Sequence, residues 1–240
     1  MSERSAAMDP ASADLSRRRR HLYDSTAGLY TATFHLIWRF GFPGLHTWLS
    51  DSVRDRAAVL DAGAAAGYWS RFIARTETRP RVVAMDFSQA YVLRAKQYLA
   101  EECGVLVLQG DITAAPFRSG SFDAVLCSGV LDTMPDPVPA LAELRRLLRP
   151  DGKLLLILRG PGSRLSPLIE RVFRVSISVV KSVTRSRGEG LDPELWSRTP
   201  IGSRLVDLAT AAGLAVEDVR YGRILTRATL VASETDGPAT

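Results

Sequence analysis

Ala57-Ala58-Val59-Leu60-Asp61-Ala62-Gly63-Ala64-Ala65-Ala66-Gly67 decides the fold: an apolar run closes on an acid and passes into a loop of small residues. The pattern returns twice. Arg81-Val82-Val83-Ala84-Met85 closes on Asp86, and Val105-Leu106-Val107-Leu108 is followed by Asp111, so the acids fall 25 residues apart. Uninterrupted apolar runs of this length read as strands buried on both faces, hence as parallel strands. Parallel strands need a crossover, and the helical patterns between the runs supply it. The three acids therefore gather at the carboxyl ends of neighbouring strands, the edge where open α/β sheets bind ligands. A row of carboxylates there repels phosphate and attracts hydroxyls, amines or a cation.

The alternation continues outward from this core. The helix after Gly67 presents Trp69, Phe72 and Ile73, and the helix after Ser88, a good N-cap, presents Val92, Ala95 and Leu99. Phe122 to Ser128 is a fourth strand. Asp136-Pro137 reads as an N-cap and first helical position for a helix carrying Leu141, Leu144 and Leu148. Arg149-Pro150-Asp151-Gly152 ends it, and Lys153 to Leu158 is strand five. A helix over Leu205 to Ala212 and an antiparallel hairpin, about Ala215 to Gly222 and Thr226 to Ser233, close the domain. The expected fold is a Rossmann-like, doubly wound, mainly parallel sheet of seven strands with that hairpin at its end.

Around this core the sequence divides into a polar tail over 1–16, an aromatic-rich helical lid over 17–56 and an insertion over 159–202. A further tail follows at 235–240. Long insertions in compact domains are usually lids or substrate-facing caps. Within this one, Leu168 to Val183 repeats its apolar residues at helical spacing, and we expect it to cap the same carboxyl edge. The basic run Arg17 to Arg20 is read as a solvated segment rather than a nucleic-acid contact, since no basic surface with interleaved aromatics accompanies it. Of 240 residues 46% are hydrophobic and 24% charged, the balance of a globular protein, and the longest apolar stretches are strand-length. Without a signal-like apolar segment the expectation is cytoplasmic, with no stable membrane insertion. Cys103 and Cys127 share no ligand spacing with His21, His35 and His46, so no metal is expected.

The loop after strand one lacks the dinucleotide pattern, which needs glycine at 63, 65 and 68. It resembles instead the G-x-G-x-G loop of class I S-adenosylmethionine-dependent methyltransferases, with Ala65 at the middle glycine. The remaining motifs strengthen that resemblance: Val83-Ala84-Met85-Asp86-Phe87-Ser88, Gln109-Gly110-Asp111-Ile112, Ser121-Phe122-Asp123-Ala124-Val125, Met134-Pro135-Asp136, and Leu147-Leu148-Arg149-Pro150-Asp151-Gly152-Lys153-Leu154. Their order is similar to the ubiquinone/menaquinone-biosynthesis branch, strongly over 57–158 and weakly upstream. The resemblance implies an S-adenosylmethionine site. The backbone of Gly63, Ala65 and Gly67 would face the methionine part, with Asp61 nearby and Ser128 and Gly129 beside it. Asp86 would accept from both ribose hydroxyls. Phe87 and Ile112 would sandwich the adenine, Asp111 would accept from its amino group, and Tyr30 would contribute from the lid.

Two departures bear on function. At Ala65 a φ below zero makes the extra methyl cheap, whereas a φ above zero costs on the order of 1 kcal/mol. Asp132 stands where that branch often has histidine. The expected activity is in-line methyl transfer to O or C of a small, fairly apolar acceptor: a quinone, a phenol or a polyketide-like molecule. Candidate bases are His35, His46 and Asp132. The alternative is a protein that binds the cofactor without transferring methyl. The only expected partner is the small-molecule acceptor, and a homodimer is compatible with the sequence.

Overall fold

The apolar runs form strands, and the strands assemble into one mixed seven-stranded sheet of order β3-β2-β1-β4-β5-β7-β6. The structure, a computed structural model, describes residues 31, 35, 38, 39, 42–159, 201–222 and 225–233. In chain order these hold α1 (Pro43–Val53), β1 (Ala58–Ala62), α2 (Tyr68–Ala74), β2 (Arg81–Asp86), α3 (Gln89–Tyr98), β3 (Val105–Gln109) and β4 (Phe122–Ser128). Then come α4 (Val138–Leu147), β5 (Leu148–Arg159), α5 (Leu205–Ala211), β6 (Leu214–Tyr221) and β7 (Leu225–Ala232). The tails, Tyr30 and the segment Leu168 to Val183 lie outside the described residues, as does most of the expected lid and cap.

β1 to β5 pair in parallel, and β7 runs antiparallel between β5 and β6. Apolar side chains go to both faces, as parallel strands covered by helices require. On one face Leu60, Val125, Leu156 and Leu230 pack with Leu141 and Leu144 of α4 and Leu208 of α5. On the other, Val59, Leu126, Leu155 and Ile157 meet Trp48, Leu49 and Val53 of α1 and Trp69 and Ile73 of α2. The expected stripe of α3 is buried: Val92, Ala95 and Leu99 are each under 5% exposed. Among the described residues no helix is long and apolar enough to cross a membrane.

Boundaries move where side chains override the pattern. β3 stops at Gln109 because Gly110 turns in against Met85; a Cβ there would lie 2.5 Å from its sulfur. Asp111 therefore stands two residues past the strand. α4 opens at Val138, one residue later than expected, since the Asp136 carboxylate accepts from the Val138 N–H at 3.0 Å and Pro137 takes the cap position. β5 begins at Leu148, which pairs with Phe122 before an irregularity in the ladder. Arg149-Pro150-Asp151-Gly152 thus lies within the strand's span, and the helix ends at Leu147, so that Leu148, expected on its apolar stripe, belongs to the strand.

Candidate functional site

Asp61 sits inside β1, with Ala84 of β2 and Leu126 of β4 as neighbours in register. Its side chain is 1% exposed and accepts from the Ser70 hydroxyl at 2.6 Å. Burial pushes its carboxyl up to about 7, the Ser70 bonds opposing that rise and the charge of Asp86 adding to it. Asp86, the last residue of β2, is also buried. Its two oxygens accept from the N–H of Ala65, 2.8 Å, and of Ser88, 2.9 Å. Asp86 thereby ties the glycine loop to the start of α3.

That tie explains the loop's backbone. Gly63 and Gly67 have φ of 81° and 88°, and Ala65 has φ of 48°. The alanine is therefore in the left-handed region and carries the strain that a Cβ brings there. Gly63 is fixed for a second reason: an added Cβ would lie 2.2 Å from a Val130 methyl. The N–H groups of Gly63 and Ala64 both donate to the Met85 carbonyl, at 2.8 and 3.0 Å, clamping the loop onto β2.

Asp111 is exposed. One oxygen accepts from the N–H and the hydroxyl of Thr113, at 2.9 and 2.8 Å. The other has no hydrogen bond among the described residues and is open to an incoming donor. Ile112 beside it is buried and Phe87 half-buried, the Phe87 carbonyl accepting from Gln109 Nε2 at 2.9 Å. Ser128 ends β4, and next to it Gly129, φ 68°, has open space where a Cβ would stand. The edge thus brings together Asp61, Gly63, Ala65, Gly67, Asp86, Phe87, Asp111, Ile112 and Ser128 around the ends of β1 to β4.

Asp132 is placed differently. It is 3% exposed, and its carboxylate accepts from the N–H of Arg159 at 2.8 Å and of Ile201 at 3.4 Å. It fastens the end of β5 to the start of a short 3-10 helix, Ile201–Arg204. Burial is the main cause raising its carboxyl above the ordinary value.

The two histidines meet around a tyrosine that the sequence argument did not single out. His46 Nε2 lies 2.8 Å from the Tyr68 hydroxyl, and its Nδ1 lies 3.3 Å from the Phe42 carbonyl. The His35 ring stacks 4.5 Å from Tyr98 and 5.4 Å from Tyr68. His35 Nε2 is buried with no hydrogen bond, and burial followed by the charge of Arg71 holds the imidazole below its usual pKa. Its surroundings thus favour the neutral imidazole over the protonated one. Tyr68 is the first residue of α2, directly after Gly67; that position was the available signal. Arg71 covers the Tyr98 ring at 4.7 Å and donates to Glu102 at 2.8 Å, which holds that ring in place. Trp38 of the lid packs on Trp69, centroids 5.2 Å apart, so this aromatic is core.

Comparison with known proteins agrees with this geometry. Residues 60–156 match the methyltransferase domain family. A demethylmenaquinone methyltransferase of Lactococcus lactis is 35% identical over 139 residues, 56% of this chain and 53% of the relative. An uncharacterized chloroplastic methyltransferase of Arabidopsis thaliana is 33% identical over 100 residues, 39% of this chain and 28% of the relative. The chain thus spans about half or less of these relatives. Among solved structures, the cyclase SpnF superposes with a TM-score of 0.63 at 16% identity, covering 89% of this chain and 94% of that one; the fold is shared.

Proposed function

We propose that this chain, whose core is a class I S-adenosylmethionine-dependent methyltransferase domain, transfers methyl from that cofactor to O or C of a small, fairly apolar acceptor. The observation that carries the reading is the edge itself. Asp86 and Asp111 follow neighbouring strands β2 and β3, next in sequence to Phe87 and Ile112, and Asp86 holds a loop that needs positive φ at Gly63, Ala65 and Gly67. The donor chemistry fits the cofactor, which carries a sulfonium, two ribose hydroxyls and an amine but no phosphate. Asp86, at the carboxyl end of β2 beside the glycine loop, is the residue we assign to the ribose hydroxyls, since a carboxylate can accept several hydrogen bonds at once. The free oxygen of Asp111 suits the adenine amino group.

When bound, the cofactor supplies a methyl already activated by its sulfonium. The chain's work is then to position the acceptor in line and exclude water, which can contribute roughly 7–11 kcal/mol. An acceptor with a proton to lose needs a base. His35 and the hydrogen-bonded Tyr68–His46 pair are our candidates for it. Asp132 serves less well, because backbone donors hold its carboxylate. The names of the relatives support a quinone-like acceptor.

Turnover tests this. Purified protein with methyl-labelled cofactor and a panel of quinols and phenols should yield labelled product and an equal amount of S-adenosylhomocysteine. Tight NAD binding in calorimetry, with the methyl donor silent, would overturn the reading. The strained Ala65 favours one alternative, a protein that binds the cofactor without consuming it. Product of unchanged mass with intact cofactor would select it.

A further inference from the structure

α1 and the β6–β7 hairpin flank an open groove of about 1020 Å³ away from the row of acids. Its apolar wall includes Leu45, Trp48 and Leu225, and its polar wall includes Lys153, Arg220 and Arg227. Arg220 of β6 and Arg227 of β7 are directly opposite in register. Such residues share a face with Cβ atoms about 5 Å apart, and like charges there destabilise the pair of strands. Among the described residues no ion pair neutralises them. Among the described residues the Arg220 side chain makes no ion pair or hydrogen bond. Arg227 Nη1 donates to the Gly44 carbonyl at 3.2 Å and its guanidinium lies 5.6 Å over the Trp48 ring, yet its Nε is buried with no acceptor.

The nearby acids are otherwise engaged or insufficient. Glu217 is held by Lys153 at 2.7 and 2.9 Å, and Asp51 pairs with Arg54. Asp218, next but one to Arg220 along β6, attracts Arg227 without an ion pair to it. Burial, and then the charge of Arg220, hold the Arg227 guanidinium below its ordinary pKa. A buried charged donor without an acceptor costs more than it contributes, so this arrangement is incomplete as it stands. A planar oxyanion between two guanidinium groups would complete it with charge-assisted bonds.

We propose that this groove binds an amphipathic carboxylate, its head group between Arg220 and Arg227 and its apolar body along Leu45, Trp48 and Leu225. The proposal does not depend on methyl transfer, and its test needs no cofactor. Decanoate is titrated into the intact protein while tryptophan fluorescence is followed, with Trp48→Phe assigning the signal; decanol and decyltrimethylammonium serve as neutral and cationic controls. Decanoate should saturate and bind at least tenfold more tightly than decanol. Arg220→Gln, at an exposed position where the fold is not at risk, should weaken decanoate at least fivefold and leave decanol unchanged. Without ligand the same variant should melt at a higher temperature, because the opposed charges are relieved. Equal binding of decanoate and decanol, absence of saturation by decanoate, undiminished decanoate binding by Arg220→Gln, or a lowered melting temperature would each overturn the proposal. An acidic peptide that displaces decanoate without itself depending on Arg220 would also count against it.

Discussion

The acid-bearing edge at β1 to β3 and the arginine-bearing face of β6 and β7 handle charge in opposite ways. At the edge each carboxylate is held before any ligand arrives: Asp61 by Ser70, Asp86 by the N–H groups of Ala65 and Ser88, Asp111 by Thr113. On the hairpin two arginines stand opposite in register, and one backbone carbonyl accepts from Arg227. Acceptors fixed in advance need little reorganisation on binding. The opposed arginines instead leave repulsion in the free protein that an anion would remove. One region is preorganised and the other is left in deficit.

The largest effect that would break this contrast is at Asp61. Its folded carboxyl lies near 7 against an ordinary 3.8, so the unfolded chain ionises first. Stability is therefore complete below pH 4, falls as pH rises toward 7 and is level above it. Asp61→Asn keeps an acceptor for Ser70 and removes the ionisation. Its advantage in urea unfolding should grow from pH 4 to 7 and reach up to about 4 kcal/mol. Parallel pH profiles for the two proteins would show that the edge does not store this cost.

Next in size is Asp86→Ala, which should lower S-adenosylmethionine affinity by about 1.5–3 kcal/mol in calorimetry, through loss of charge-assisted bonds and of the tie to Ala65. Unchanged affinity would remove Asp86 from the site. Ala65→Gly relieves a left-handed residue. It should stabilise the fold by about 1 kcal/mol and leave cofactor binding equal or tighter; a less stable protein would mean that the alanine methyl packs usefully. The smallest effect is at Lys153→Gln, which breaks a partly exposed pair with Glu217. It should change stability by about 0–1 kcal/mol. A larger loss would mean that the hairpin face is better neutralised than its arginines imply.

The strand pattern made the fold legible because parallel strands buried on both faces must be continuously apolar, and Asp61, Asp86 and Asp111 mark their ends. The hairpin was legible from its short turn, but not its insertion beside β5. Sequence order does not encode which edge strand lies inside. The φ of Ala65 was a two-way question until Asp86 was seen to hold its N–H. Asp132 read as a candidate base because its partners, Arg159 and Ile201, are 27 and 69 residues away. Tyr68 was passed over since its meaning lies in His46, 22 residues earlier. Residues whose partners are local were readable, and those with distant partners were not.

The position of β7 also sets a timetable. It is last in the chain but sits between β5 and β6, so Leu154 to Leu158 of β5 have no neighbour on that side until residues 225–232 have been made. During synthesis, five successive apolar residues present an open strand edge, the kind of surface on which nascent chains associate wrongly. The ribosome must pass β6 and complete β7 before this side of the sheet can close. A pause or truncation just short of residue 225 should thus be far more harmful than one just past 233, though few residues separate them.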